Sequence, residues 1–93
     1  ARRYFRLCAA RGVPACQYRL GRLMLEMADR SEDDYLQGIA WLQLAGEQGL
    51  VYRAAPLQHR AVHRYGLTGA YPHPVTGEQI GYRHHLFDPV LAP

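Results

Sequence analysis

Apolar side chains recur with helical spacing on both sides of a short polar stretch, residues 29–34. Before this stretch, steps of four, three and four residues join Cys16, Leu20, Leu23 and Met27, which places them on one stripe of an α-helix. Pro14 suits the first turn of that helix, where a missing N–H costs nothing. The pattern predicts a helix that begins near Pro14.

The same steps follow the polar stretch, where they join Tyr35, Ile39, Leu42 and Gly46, and Ala45 widens the stripe. Two helices that each carry one apolar stripe pack most simply against each other. The sequence therefore predicts an antiparallel helical hairpin over residues 14–49.

Residues that begin and end helices stand at the expected places in the second helix. Ser31 is the expected N-cap, and Asp34 three residues later supplies an acid to the first turn, where the helix dipole favours it. Gly49 is the expected left-handed residue that ends the helix.

Three glycines lie inside the predicted helices, although each costs up to ~1 kcal/mol there relative to alanine. Close approach of a neighbouring backbone offsets such a cost. We expect Gly21, Gly38 and Gly46, together with Ala40 and Ala45, to form the contact surfaces of packed helices.

Residues 15–21 (ACQYRLG) and 38–49 (GIAWLQLAGEQG) together resemble the Sel-one-like repeat, a short relative of the tetratricopeptide repeat. The Leu20–Gly21 pair, Trp41, the small Ala45–Gly46 pair and the closing Glu-Gln-Gly carry the resemblance. The chain departs from the family pattern in its inter-helix turn, residues 27–31, which has no glycine. The resemblance implies an all-α solenoid of helical hairpins that binds other polypeptides.

A shift of 37 residues lays residues 4–13 over 41–50, so that an aromatic residue meets an aromatic residue and Gly12 meets Gly49. A fixed period of this length is typical of helical repeats. We expect residues 1–12 to be the second helix of a preceding repeat in a longer parent. Because this helix lacks its hairpin mate, we expect self-association of the isolated chain.

The same shift predicts the first helix of a degenerate repeat over residues 51–66, so that the helical repeat region covers 1–66 and about one and a half repeats. Pro56 lies inside this segment and either kinks the helix or delays its start. Gln58 stands where the repeat has a glycine. We expect the helix to run from Val51 or Pro56 to Tyr65.

Residues 67–93 are predicted to form a C-terminal loop, a short helix and a tail that together cap the repeat region. Glycines and prolines in residues 66–74 favour a loop. Thr76 with Gln79 three residues later is typical of a helix start. The short helix would carry Ile80, Arg83, His84 and Phe87.

The chain has 93 residues and a formal net charge of +3, with arginine but no lysine. This length allows one domain with a modest core. The arginines are spread along the chain and mixed with acids, so we expect no nucleic-acid partner, and no apolar run is long enough for a membrane span.

Cys8 and Cys16 are the only two cysteines. A cysteine-rich secreted branch of the family that the chain resembles joins neighbouring helices by disulfides with the same eight-residue separation. In this chain both cysteines stand one position earlier, and small core thiols replacing alanine are the favoured alternative. The cellular compartment stays open.

All five histidines follow residue 58, and four of them form pairs that could share helical faces: His59, His63, His84 and His85. Two such pairs could hold zinc. No carboxylate stands beside either pair to orient the rings. We therefore expect no metal, and a metal-binding or nucleic-acid-binding accessory domain in the C-terminal half is the alternative function.

Residues for catalysis are scarce. Ser31 is the only serine and is explained as a cap, and the acids around it, Asp29, Glu32, Asp33 and Asp34, suit the solvated first turn of a helix. We expect neither enzymatic activity nor a cofactor.

Recognition of a protein partner is the function that the family resemblance implies. The solenoid geometry implied by the resemblance puts the first helices of each repeat on the concave surface. Tyrosine and arginine anchor interfaces most often. The candidate partner-binding residues are Gln17, Tyr18, Arg22, Glu26, Tyr52 and Arg53.

Overall fold

The computed structural model describes residues 2–26, 32–65 and 70–81. Four helices follow one another: α1 (Arg2–Ala10), α2 (Pro14–Glu26), α3 (Glu32–Ala45) and α4 (Val51–Tyr65). A two-stranded hairpin, β1 (Ala70–Pro72) and β2 (Gln79–Gly81), follows them. The radius of gyration is 12.0 Å, which matches the ~12 Å of a compact chain of this length. The all-α class is confirmed at the level of a compact unit of four helices.

Glycines in the left-handed conformation separate the helices at two junctions. Gly12 has φ 91°, and its N–H donates to the carbonyl oxygen of Ala9 at 2.9 Å, which closes the end of α1. Gly49 has φ 113° within the wide turn Gly46–Leu50 that joins α3 to α4. Both predicted features, the glycine end at Gly49 and the helix start at Pro14, are confirmed. The predicted N-cap, Ser31, lies outside the described residues.

The apolar core lies on both sides of α3. One cluster joins α1, α2 and α3, and the other joins α2, α3 and α4. The first contains Ala9, Cys16, Leu20, Met24 and Trp41, with Phe5, Cys8 and Leu44 packed against it. The second contains Ile39, Ala40 and Ala61, with Leu25 and Leu36 packed against it.

The buried stripe of α2 differs from the predicted one by one residue. Cys16 and Leu20 are buried as expected, but the next buried apolar residue is Met24, while Leu23 is only half-buried. Met24 belongs to the core cluster that contains Trp41. The last predicted member of the stripe, Met27, lies outside the described residues.

Two of the interior glycines allow α2 and α3 to approach closely. A Cβ atom added at Gly21 would lie 2.8 Å from the carbonyl oxygen of Gly38, and one added at Gly38 would lie 3.1 Å from the carbonyl oxygen of Gly21. Gly46 is buried as well. The interpretation of these glycines as helix contact points is confirmed for Gly21 and Gly38.

Pro56 lies inside α4, which begins at Val51 rather than at the proline. Proline removes one backbone N–H from the helix, and its side of the helix is exposed, so water can satisfy the carbonyl group that loses its partner. The helix therefore tolerates this residue.

A strand occupies the place where the sequence predicts the start of a last helix. Gln79–Gly81 pairs antiparallel with Ala70–Pro72, and Tyr71 lies opposite Ile80. The backbone N–H groups of Val75 and Thr76 donate to Nδ1 of His73, and the N–H of His73 donates to the carbonyl oxygen of Glu78 at 2.6 Å. These bonds make the segment a turn. The rest of the predicted helix lies outside the described residues.

Candidate interaction surface

Gln17, the first of the predicted partner-binding residues, is buried in the fold, with 3% of its surface exposed. Its Nε2 donates to the carbonyl oxygen of Ala9 at 3.2 Å, and its Oε1 accepts from Nε2 of Gln48 at 2.6 Å. The amide thus joins α1, α2 and the turn before α4. Gln17 is removed from the candidate surface, because its side chain is buried between α1 and the turn before α4.

Three other predicted residues follow one another along α2. Tyr18 is half-buried, whereas Arg22 and Glu26 are exposed. Nε of Arg22 lies 3.0 Å from Oε1 of Glu26, one helical turn apart. The hydrogen bond to Glu26, together with its negative charge, raises the pKa of Arg22 above its ordinary value.

Tyr52 and Arg53 are both exposed at the start of α4, and 92% of the Tyr52 surface is accessible to solvent. The hydrogen bond between Gln48 and Gln17 joins the turn before α4 to α2, and α2 also contacts α4 directly. Tyr18, Arg22, Glu26, Tyr52 and Arg53 therefore lie on two neighbouring helices. We call these five residues the α2–α4 surface.

A second buried amide pair joins α3 to α4. Nε2 of Gln58 donates to the carbonyl oxygen of Ile39 at 3.1 Å and to Oε1 of Gln43 at 3.2 Å, and neither glutamine is exposed. Nε2 of Gln43 donates to Oε1 of Glu47 at 3.2 Å. This pair fixes the position of α4, and with it the position of Tyr52 and Arg53. In the sequence, Gln58 is seen only as a departure from the repeat pattern.

The two cysteines form a disulfide bond between α1 and α2. Their Cα atoms lie 5.7 Å apart, within the usual range for such a bond. The favoured prediction of free core thiols was wrong, and the structure contains the other alternative, the disulfide. The bond lies in the core cluster of Trp41 and holds α1 against α2.

Of the four paired histidines, only His59 has a described side chain, and it is half-buried on α4. His63 lies on α4 with its side chain outside the described part, and His84 and His85 lie beyond it. Within residues 2–26, 32–65 and 70–81, no three histidine, cysteine or acidic side chains are grouped as metal ligands.

None of the four described helices is both long enough and apolar enough to cross a bilayer.

Comparisons with family models, with curated proteins and with solved structures find no match to this chain. The chain is a small all-helical domain of four helices, in which Arg22 and Glu26 are exposed on α2 and Tyr52 and Arg53 are exposed on α4.

Proposed function

We propose that the chain is a non-enzymatic protein-interaction module of the helical-repeat type, similar to Sel-one-like repeats, that binds a protein partner through the α2–α4 surface. The exposure of Tyr52 carries the proposal. A tyrosine with 92% of its surface in water gains apolar contact area when a partner covers it. It loses little side-chain entropy, because it has only two rotatable bonds.

The spacing of the helix junctions supports the repeat part of the proposal. Gly12 and Gly49 are both left-handed, and they stand 37 residues apart. The helices that follow them begin at Pro14 and Val51, which are 37 residues apart as well. In two successive units of one repeat, the glycine that ends a helix and the start of the next helix both recur at the same spacing.

The chemistry of the surface supports a polypeptide partner. It combines two tyrosines and two arginines with one acid, and these aromatic and guanidinium groups contribute most to protein interfaces. The buried amides of Gln17 and Gln58 hold the two helices in fixed positions. A partner therefore meets side chains on a rigid framework, which lowers the entropy cost of binding.

Photo-crosslinking in the parent cell tests the proposal. A benzophenone amino acid replaces Tyr52 in the full-length protein, and the same group replaces Tyr4 on α1, which is 65% exposed, as the matched control. We expect one protein partner to crosslink at position 52 and not at position 4. Equal crosslinking at both positions, or none at position 52, would contradict the proposal.

Substitutions then test the individual residues. We expect Tyr52→Ala with Arg53→Ala to weaken binding of the crosslinked partner by at least tenfold, since each anchor residue contributes more than ~1 kcal/mol. The control pair, Arg3→Ala with Tyr4→Ala, makes the same chemical change on another exposed helix and leaves binding unchanged. A combined Tyr18→Ala, Arg22→Ala and Glu26→Ala variant extends the test to α2.

A further inference from the structure

A small pocket lies between α1, α3 and the turn of the β-hairpin, away from the α2–α4 surface. Arg6 and Ala10 line it from α1, Gln37 and Trp41 from α3, and Pro74 with Val75 from the hairpin turn. The residues from each helix are four apart, so they are neighbours on one helical face. Two such faces and the hairpin turn together line the pocket.

We propose that this pocket binds a small monocarboxylic acid whose body is a single aromatic ring or an equally flat apolar group. The proposal is independent of the proposed function, because it concerns other residues and another class of ligand.

The size of the pocket limits the ligand. Its volume is about 280 Å³, whereas a cavity of ~150 Å³ holds benzene. A benzene ring with a short carboxylate fits this volume. Drug-sized ligands occupy pockets of ~300 to 1,000 Å³, so larger ligands are not expected.

The charge of the pocket determines the polar group of the ligand. Arg6 is the only charged residue of its lining, and among the described residues it has no ion-pair or hydrogen-bond partner. A guanidinium group pairs with a carboxylate through two parallel hydrogen bonds. A doubly charged phosphate would leave one negative charge without a partner, so a monocarboxylate fits best.

The remaining lining residues explain the apolar body. Trp41 is buried apart from 4% of its surface, so the core holds its ring in place and only a small part of the ring is accessible at the pocket. Pro74 and Val75 provide apolar surface opposite the helices, and the half-buried amide of Gln37 can donate a hydrogen bond to the acid. The pocket thus combines one cation and one amide with the apolar groups of Trp41, Pro74 and Val75.

Trp41 is the only tryptophan of the chain, so its fluorescence reports directly on the pocket. In a titration of the 93-residue chain with phenylacetate, we expect a saturable change in the fluorescence of Trp41. The expected dissociation constant is about 1 mM, which is the range for ligands of this size. Phenylacetamide, which has the same shape without the charge, and acetate, which has the charge without the ring, bind at least tenfold more weakly.

Two matched variants locate the site. Arg6→Gln weakens phenylacetate binding by at least tenfold, because it removes the charged partner and retains most of the side-chain stem. Arg3→Gln changes another exposed arginine of α1 that does not line the pocket, and we expect it to bind as the unchanged chain does. Equal binding of phenylacetate and phenylacetamide, equal effects of the two substitutions, or no saturable change in fluorescence would overturn the proposal.

Discussion

The carbonyl oxygen of Gly38 lies 2.8 Å from the point where the Cβ of a side chain on Gly21 would stand. Distances of this kind essentially never occur for real Cβ atoms, so the crossing of α2 and α3 depends on the glycine. The Cβ would also meet Cγ of Leu42 at 2.9 Å.

We therefore expect Gly21→Ala to destabilise the chain by about 1–2 kcal/mol, because the clash outweighs the gain of up to ~1 kcal/mol in helix propensity. Urea unfolding followed by circular dichroism measures this change. Gly38→Ala is the matched variant: its Cβ would lie 3.1 Å from the nearest atoms, and we expect a smaller loss. A stabilised Gly21→Ala variant would contradict the close packing.

The two left-handed glycines predict a pair of equal effects. A Cβ at Gly12 or at Gly49 meets no atom within 4 Å, so Gly→Ala at either position suffers only the backbone cost of the left-handed region, about 1 kcal/mol. Equal losses in the free energy of unfolding would agree with equivalent places in a repeat. A loss at only one position would count against the repeat.

The disulfide bond predicts a change on reduction. It closes a short loop between Cys8 and Cys16, with a sequence separation of 8, for which chain entropy gives a stabilisation of ~2.5 kcal/mol. We expect dithiothreitol to lower the urea midpoint by this free energy divided by the m-value of unfolding. The Cys8→Ala and Cys16→Ala double variant should start at the lower midpoint and show no response to dithiothreitol. If dithiothreitol leaves the urea midpoint of the unsubstituted chain unchanged as well, the disulfide bond does not stabilise the fold.

The buried amides of Gln43 and Gln58 predict coupling between α3 and α4. Gln58→Leu removes two donated hydrogen bonds, but it also removes Oε1 of Gln58, which has no hydrogen-bond partner among the described residues. We expect a net loss of about 1 kcal/mol. Gln79→Leu, at an exposed position in β2, is the control and should change the free energy of unfolding little.

A double-mutant cycle with Gln43→Leu measures the pair itself. Residues in one hydrogen-bond network differ from additivity by ~0.5–3 kcal/mol. Additive losses at the two positions would show that the hydrogen bond between the amides contributes nothing to stability.

Substitutions that remove the exposed ion pair of Arg22 and Glu26 are expected to leave the stability of the fold unchanged. Its side chains are 47% and 58% exposed, and solvent screens such pairs strongly. We expect Arg22→Gln and Glu26→Gln to leave the thermal midpoint unchanged. Loss of partner binding by these variants would then report on the surface and not on the fold.

The pH dependence of this pair follows from the raised pKa of Arg22. Stability from a group whose pKa is raised on folding is present below the unfolded pKa and is lost only as pH rises through the folded value. For arginine both values lie far above the neutral range, and the folded value is the higher of the two. We therefore expect no titration of Arg22 between pH 5 and pH 9. A thermal midpoint that changes with pH in this range for the unsubstituted chain, but does not change for Arg22→Gln, would contradict this expectation.

Local patterns in the sequence predict the helices, because the determinants of helix ends are local. Pro14 and Gly49 mark their helix ends from their own backbone properties. The buried state of Gln17 was not predictable in this way, because it depends on Ala9 and Gln48 in other elements. Polar residues are usually exposed, and the sequence alone gives no sign of the two partners.

The hairpin shows the same limit. Thr76 and Gln79 suit a helix start locally, yet the strand at Gln79–Gly81 depends on pairing with Ala70–Pro72. The pocket was missed for the same reason, since Arg6 and Pro74 are brought together only by the fold. The resemblance to the Sel-one-like repeat directed the choice of candidate residues to α2 and α4, and of these Gln17 is buried whereas Tyr52 and Arg53 are exposed.

Residues 38–43 of α3 are six consecutive buried residues, so this helix has no solvent-facing side over more than one and a half turns. Neighbouring elements cover the helix on every side, and local fraying cannot release its amide hydrogens. These amides should exchange with deuterium last, at a rate set by global unfolding. The middle of α3 is then the segment whose protection measures the stability of the whole domain.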